Sequence, residues 1–256
     1  MSDLNTPYEH GTPAWVDQLT TDLPATTDFY RGLFGWDYEV GTPENGGYTM
    51  ALLRGKPVAG LREMPRDARF AVVWTTYLAT DDVDESVDLT EENGGVVLVP
   101  VFEVEGLGRG AIAADSTGAS FGMWEAGTHI GAYLVNEPGA VVWNELATRD
   151  LDTASAFYRD VFDLESERTP ELPYSRFEVD GRAVGGAYAM TDEVPADIPP
   201  HWMTYFGVAD VDAAVDRVVR LGGIAVGDPA DSPFGRFATV GDPLGAPFRV
   251  LGVPRA

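Results

Sequence analysis

The chain contains no cysteine, one lysine, three histidines and no long apolar run. Without cysteine there are no disulfides, no thiolate nucleophile and no Cys-bound zinc or iron–sulfur cluster. With Lys56 as the sole lysine and a net charge of −24, clustered cations for a phosphate backbone or an anionic membrane surface are missing. This excludes nucleic acid and membranes as expected partners, and the acidity reads as solubility or adaptation to salt. No segment reaches the roughly 18–20 apolar residues that cross a bilayer. The opening "MSDLNTPYEHGTP" lacks a basic start and an apolar core, so it does not read as a signal peptide, and a cytoplasmic location is expected. The remaining composition, 45% hydrophobic and 23% charged, is that of an ordinary globular protein.

What is there is a repeat. "WVDQLTTDLPATTDFYRGLFGW" from Trp15 aligns without a gap to "WNELATRDLDTASAFYRDVFDL" from Trp143, 128 positions on. The same shift relates "WTTYLATDDVDESV" from Trp74 to "WMTYFGVADVDAAV" from Trp202. "YTMALLRGKPVAG" meets "YSRFEVDGRAVGG" at 126, and "GRGAIAADSTGASF" meets "GRFATVGDPLGAPF" at 127. So many blocks in one order mean duplication. The expected division is an N-terminal extension over 1–12, a first half over 13–127, a linker over 128–139 and a second half over 140–256.

Each half divides again. Asp22 and Asp82 read as N-caps, accepting from free amides of a first helical turn. Pro24 suits that turn, where its missing N–H costs nothing. Ala25, Phe29 and Leu33 share one helical face, as do Val83 and Val87, and Val211, Val215 and Val218. Gly35 and Gly94 stop their helices. "YTMALL", "VVLVPVFEV" and "RFATV" read as strands. The predicted class is α+β: four βαβββ modules in two tandem halves, each half a curved mixed sheet forming a cup, with the helices on its convex face.

A duplicated module opening with "D-L-x-x-x-x-x-F-Y-R-x-x-F" resembles the vicinal oxygen chelate superfamily, which includes glyoxalase I, extradiol dioxygenases, and fosfomycin and bleomycin resistance proteins. The resemblance runs from about Pro13 to Pro254. "GTPAWVDQLTTDLPATTDFYRGLFGW" and "GAYLVNEPGAVVWNEL" are similar to an actinobacterial branch. Its members are labelled glyoxalase, bleomycin resistance-like or hydroxylase, and include a mycobacterial culture-filtrate antigen. The resemblance implies a divalent ion in the cup, held by His, Glu or Gln seven residues before each helix-opening Asp and by a Glu on a last strand. The matching positions here are Trp15, Thr75 and Gly122 in the first half, and Trp143, Met203 and Arg249 in the second. None of these is a good ligand. No cofactor is therefore expected, and a divalent metal in shifted register, drawing on Asp17, Glu145 or His201, is the alternative.

The inferred cup faces are aromatic. Trp15, Thr75, Tyr77 and Trp124 in the first half, and Trp143, Met203, Tyr205 and Arg249 in the second, are the expected ligand-binding residues. The plainer alternative is that these aromatics plug the cups as core. Asp17 and Glu145 face inward beside them and are the candidate acid–base residues, unless Arg side chains or backbone amides simply pair them. His201, after "IPP", is the third candidate, as a proton carrier at the second rim or as a surface histidine. The Arg of each "FYR" is expected to pair locally. The leading expectation is a metal-free protein that binds an aromatic or apolar small molecule, as a monomer or homodimer. The alternatives are a lyase, isomerase or oxygenase-like enzyme, and an interaction protein with vestigial cups.

Overall fold

A computed structural model of the chain describes residues 2–42, 46–65, 71–170, 172–192 and 194–254, so residues 255–256 of the expected second half lie outside the described residues. After a short strand β1 (Ser2–Asp3), the first half runs β2 (Pro13–Thr20), α1 (Leu23–Phe34), β3 (Asp37–Val40), β4 (Thr49–Leu53), β5 (Lys56–Glu63), then β6 (Trp74–Thr80), α2 (Val83–Glu92), β7 (Val96–Val104), β8 (Gly108–Ala114), β9 (Ser120–Ala126). The connection carries β10 (Leu134–Val135). The second half repeats the plan with β11 (Val141–Thr148), α3 (Leu151–Phe162), β12 (Glu165–Arg168), β13 (Tyr174–Val179), β14 (Arg182–Ala189), then β15 (His201–Val208), α4 (Val211–Arg220), β16 (Ile224–Ser232), β17 (Gly235–Gly241), β18 (Pro247–Gly252). This is strand, helix, three strands, four times over.

Each half is one open sheet. The first has the order β3-β4-β5-β2-β6-β9-β8-β7, and the second β12-β13-β14-β11-β15-β18-β17-β16, with β1 and β10 added beside β11. Within a module the first and last strands pair in parallel, as β2 with β5 and β6 with β9. The two first strands of a half pair antiparallel, as β2 with β6 and β11 with β15, which joins two modules into one cup.

The helices begin where the four aspartates place them. Asp22 accepts from the Ala25 amide, Asp82 from Asp84 and Glu85, Asp150 from Thr153, and Asp210 from Ala213. Gly35 ends α1 in the left-handed region, and Asp163 adopts the same conformation at the equivalent place after α3. The helical arginines stay local: Arg31 pairs with Asp28 and lies over the Tyr38 ring, and Arg159 pairs with Asp160.

The helical faces bury into cores that cross between halves. Phe29, Tyr30 and Leu33 of α1 share a core with Val211, Ala214 and Val218 of α4 and with Phe206 and Phe248. Phe157, Tyr158 and Phe162 of α3 share another with Val83, Phe121 and Met123. Module one thus packs on module four and module two on module three. The convex faces of the two sheets meet through their helices, and the concave faces point away from each other.

Two buried carboxylates tie this interface. Asp115 accepts from the Thr117 and Ala119 amides with Oδ1, closing its own turn, while Oδ2 accepts from the Tyr158 hydroxyl at 2.9 Å. That hydroxyl in turn accepts from Trp202 Nε1 at 2.8 Å. Asp242 repeats the device: Oδ1 holds the Leu244 and Ala246 amides, and Oδ2 accepts from Gln18 Nε2 at 2.6 Å and Tyr30 at 3.3 Å. Trp74 Nε1 donates to the Tyr30 hydroxyl at 2.9 Å. Between the central strands, Asn144 Oδ1 accepts from Thr76 and Thr204.

Tyr158→Phe leaves the Trp202 donor and one Asp115 oxygen unpaired in a dry core, so it should cost about 2–4 kcal/mol in urea unfolding. Tyr133→Phe, which removes an exposed hydroxyl bonded to the Thr128 carbonyl, should cost under about 0.5 kcal/mol. Equal costs for the two variants would contradict the assignment.

Candidate functional site

Strand alternation sorts the central residues by face. On β2, Val16 and Gln18 face the helices, which leaves Trp15 and Asp17 on the cup side; on β11, Asn144 and Leu146 face the helices, which leaves Trp143 and Glu145. Register completes the rows. Trp15 lies opposite Tyr77 and Asp17 opposite Thr75. Trp143 lies opposite Tyr205, Glu145 opposite Met203, and Tyr205 beside Arg249.

Both cups contain one constellation. In the first, Trp15 Nε1 donates to the Tyr48 hydroxyl at 2.8 Å, and Tyr48 donates to Asp17 Oδ2 at 3.3 Å. In the second, Trp143 Nε1 donates to the Tyr174 hydroxyl at 3.1 Å, and Tyr174 is hydrogen-bonded to Glu145. Each tyrosine crosses a glycine to get there: a Cβ on Gly60 would stand 1.8 Å from the Tyr48 oxygen, and one on Gly186 2.0 Å from that of Tyr174. Sequence reasoning missed Tyr48 and Tyr174, although they open the two blocks that align at a shift of 126.

The cups then diverge. In the first, the last-strand position is Gly122, and the Tyr77 ring lies where its Cβ would be, 2.1 Å away. Tyr77 donates to Asp17 Oδ2 at 3.0 Å. Trp15, Tyr77, Trp124 and Ala132 pack together with Met50, Phe102 and Leu107. His129, from the connection, stands edge-on to Trp15 at 4.5 Å, and its carbonyl accepts from Trp124 Nε1. This cup is filled. Burial pushes the His129 imidazole down to about 4, so it is neutral there, with Nε2 lacking a partner among the described residues. Burial, opposed by the Tyr77 and Tyr48 hydroxyls and by the charge of Arg62, pushes the Asp17 carboxyl up to about 6. Thr75 is half-buried beside this group.

In the second cup the last strand brings Arg249. Its Nη1 donates to Glu145 Oε2 at 2.8 Å and also to the Tyr205 hydroxyl, and its Nε donates to Thr239 Oγ1 at 3.2 Å. Tyr205 donates to Glu145 Oε2 at 2.5 Å. The guanidinium carbon lies 5.2–5.5 Å from the ring centres of Tyr205, Tyr188 and Phe237, which is cation–π range. Burial raises the Glu145 carboxyl above its ordinary value, against the pull of Arg249, Tyr205 and Tyr174. Trp143, Tyr174, Tyr188 and Phe237 are only half-buried, and Phe234, near Tyr174, is 64% exposed. Met203 is buried in the row. His201 lies two residues before Met203, at the start of β15, its Nδ1 against the Pro199 carbonyl, outside this network.

The structure therefore brings together Trp15, Asp17, Tyr77 and Trp124 in one cup, and Trp143, Glu145, Tyr205 and Arg249 in the other. Tyr188, Phe234, Phe237 and Thr239 were missed; Tyr188 pairs across strands with Tyr174. Among the described residues no group of three or more His, Asp and Glu side chains converges. A divalent ion does not fit the second cup: the residues at its ligand positions are indole, thioether and a cation. Two surface cavities, of about 390 Å³ beside Arg149 and Pro199 and about 200 Å³ beside Tyr8 and Glu125, lie outside the cups' polar networks.

Comparison with known proteins agrees with this architecture. Residues 12–122 match the model of the glyoxalase/bleomycin resistance protein/dioxygenase superfamily, and residues 141–251 match that of a glyoxalase-like domain. CFP32 of Mycobacterium tuberculosis, which bears a provisional glyoxylase label, is 43% identical over 252 residues, 95% of each chain. The chain belongs to the glyoxalase/bleomycin resistance/dioxygenase superfamily. Within it, the anthracycline biosynthesis protein DnrV of Streptomyces peucetius is 37% identical over 262 residues, covering 96% of this chain and 94% of DnrV. The Mn(II)-bound glyoxalase of Novosphingobium aromaticivorans superposes with a TM-score of 0.66 over 96% of this chain and 85% of its own, at 17% identity, which shows a shared fold. No helix among the described residues is long and apolar enough to cross a membrane.

A folded-state pKa above the unfolded value means that protonated Asp17 favours the native state. That contribution is complete below the ordinary value of 3.8 and is lost as pH rises through about 6. Asp17→Asn should therefore be more stable than the parent by about 1–3 kcal/mol at pH 8 in urea unfolding, with about half that gain at pH 5. A variant that is less stable at both values would refute the assignment.

Proposed function

We infer that the second cup binds a planar polycyclic aromatic metabolite without a divalent metal, for sequestration or for tailoring of a natural product. The observation that carries this reading is one cluster: Arg249, Glu145 and Tyr205 bonded to each other inside half-exposed aromatic walls of Trp143, Tyr174, Tyr188 and Phe237. Flat rings stack on such walls, and a few fixed polar groups orient them. The relatives named for anthracycline biosynthesis, at 36–37% identity over nearly the whole chain, support a fused-ring quinone as the ligand class. The second half, 140–256, is then the working unit. The first cup, filled by its own side chains and His129, serves as core. A second reading, acid–base catalysis on the same ligand, is favoured by the Tyr205–Glu145 hydrogen bond and the raised Glu145 carboxyl.

Calorimetric titration with an anthracycline aglycone tests binding. Phe234→Ala should weaken affinity about 5–10-fold, the value of one aromatic contact. Trp15→Phe, in the first cup, should leave affinity unchanged, and so should a chelator. Binding abolished by the chelator, or governed by Trp15, would overturn the assignment. Conversion of the aglycone, lost in Glu145→Gln, would select the catalytic reading.

A further inference from the structure

We propose that Arg249 is the fixed cation of the second cup, and that the ligand it takes is a hydroxy-aromatic bound as its phenolate, with Glu145 receiving the phenolic proton through Tyr205. This rests on the aromatic-binding reading above and adds to it the ionisation state that the cup selects.

Three observations carry it. The first is charge: Arg249 stands at the last-strand position where the metal-dependent fold is expected to place a carboxylate, and its side chain is only 17% exposed. A guanidinium held among three rings keeps its charge at every relevant pH and prefers planar oxygen anions. The second is the proton path. Tyr205 accepts from Arg249 and donates to Glu145 Oε2 at 2.5 Å, so it touches both members of a pair that also bond directly at 2.8 Å. Burial already lifts Glu145 toward the protonated form. The third is an internal control. The first cup repeats the Trp, Tyr and carboxylate, as Trp15, Tyr48 and Asp17, but has Gly122 in place of the arginine and its own Tyr77 over that glycine. The half-open cup has the cation at this position and the filled one does not.

The step balances without an oxidant or a metal. The ligand O–H bond breaks and its proton passes to the Tyr205 oxygen, as the Tyr205 proton moves to Glu145. Tyr205 ends neutral and Glu145 ends as the neutral acid. The phenolate replaces the carboxylate as the counter-charge of Arg249, so the buried site holds one cation and one anion before and after. Tyr174, Tyr188 and Thr239, the other polar groups facing this centre, remain neutral hydrogen-bonding partners.

The test uses the full chain with 1,4-dihydroxyanthraquinone and its dimethyl ether, followed by visible absorption at a pH where the free dye is neutral. The bound dihydroxy dye should show the red-shifted band of its anion, an apparent pKa lowered by at least about one unit, and an affinity at least about tenfold above the ether's. Tyr205→Phe, which keeps the Arg249–Glu145 pair, should return the bound dye to its neutral spectrum. Arg249→Gln should bring the two affinities within about twofold, and Arg249→Lys should retain part of the colour shift. Should Arg249→Gln fail to fold by circular dichroism, the Tyr205→Phe and Arg249→Lys results decide. Both dyes binding the parent alike and without a colour change would overturn this proposal alone. Neither dye binding would overturn it together with the reading beneath it.

Discussion

The structure depends on two buried carboxylates that each do two things at once. Asp115 and Asp242 spend one oxygen on the amides of their own turn and the other on a tyrosine from the opposite half. A buried carboxylate is costly unless its lone pairs are satisfied, so the turn and the interface have to form together. This places the helices between the halves, aligns module one with module four, and turns both concave faces outward. The tyrosines that complete the ties, Tyr30 and Tyr158, are the central letters of the repeated "FYR" phrase. Their burial explains why the phrase is apolar on both sides of an exposed arginine.

Duplication supplied two copies of one cup, and a few substitutions separated them. The shared part is a tryptophan donating to a tyrosine that crosses a glycine to an inward acid. The halves differ at several lining positions, and the one that changes the charge is glycine in the first half and arginine in the second. With no side chain at Gly122, Tyr77 lies flat and the cup closes into core, finished by His129 from the connection. With Arg249 present, the cup must solvate a guanidinium, and it does so with Glu145, Tyr205, Thr239 and three rings. That arrangement keeps polar chemistry at the bottom of an aromatic bowl. Where the metal-dependent fold is expected to place a carboxylate, this second cup carries a cation of its own.

Much of the placement of these side chains was readable from the sequence. Alternation placed Trp15 with Asp17 and Trp143 with Glu145 on one face each, because side chains on a strand repeat every two residues. Tyr77 and Tyr205 were expected on the same faces, and the family resemblance pointed to Arg249 on the last strand. Tyr48 and Tyr174 were within reach, since both begin an aligned block. Phe234, Phe237 and Tyr188 were not, because the first-half residues at the same shifts are Leu107, Gly110 and Arg62, which offer no echo. Nor could spacing say that Glu145 meets Arg249, 104 residues away, and not a backbone amide.

The sequence by itself determined the module, its fourfold repetition, the helix starts at the four aspartates and the face on which each central side chain lies. These follow from local propensity, capping and strand period, all of which act over a few residues. The tertiary structure decided which modules pack together, which cup is filled, and which charges meet. Those outcomes depend on satisfying buried polar groups between segments up to 224 residues apart, as Gln18 and Asp242 are, and that requirement arises only once water has been excluded between them.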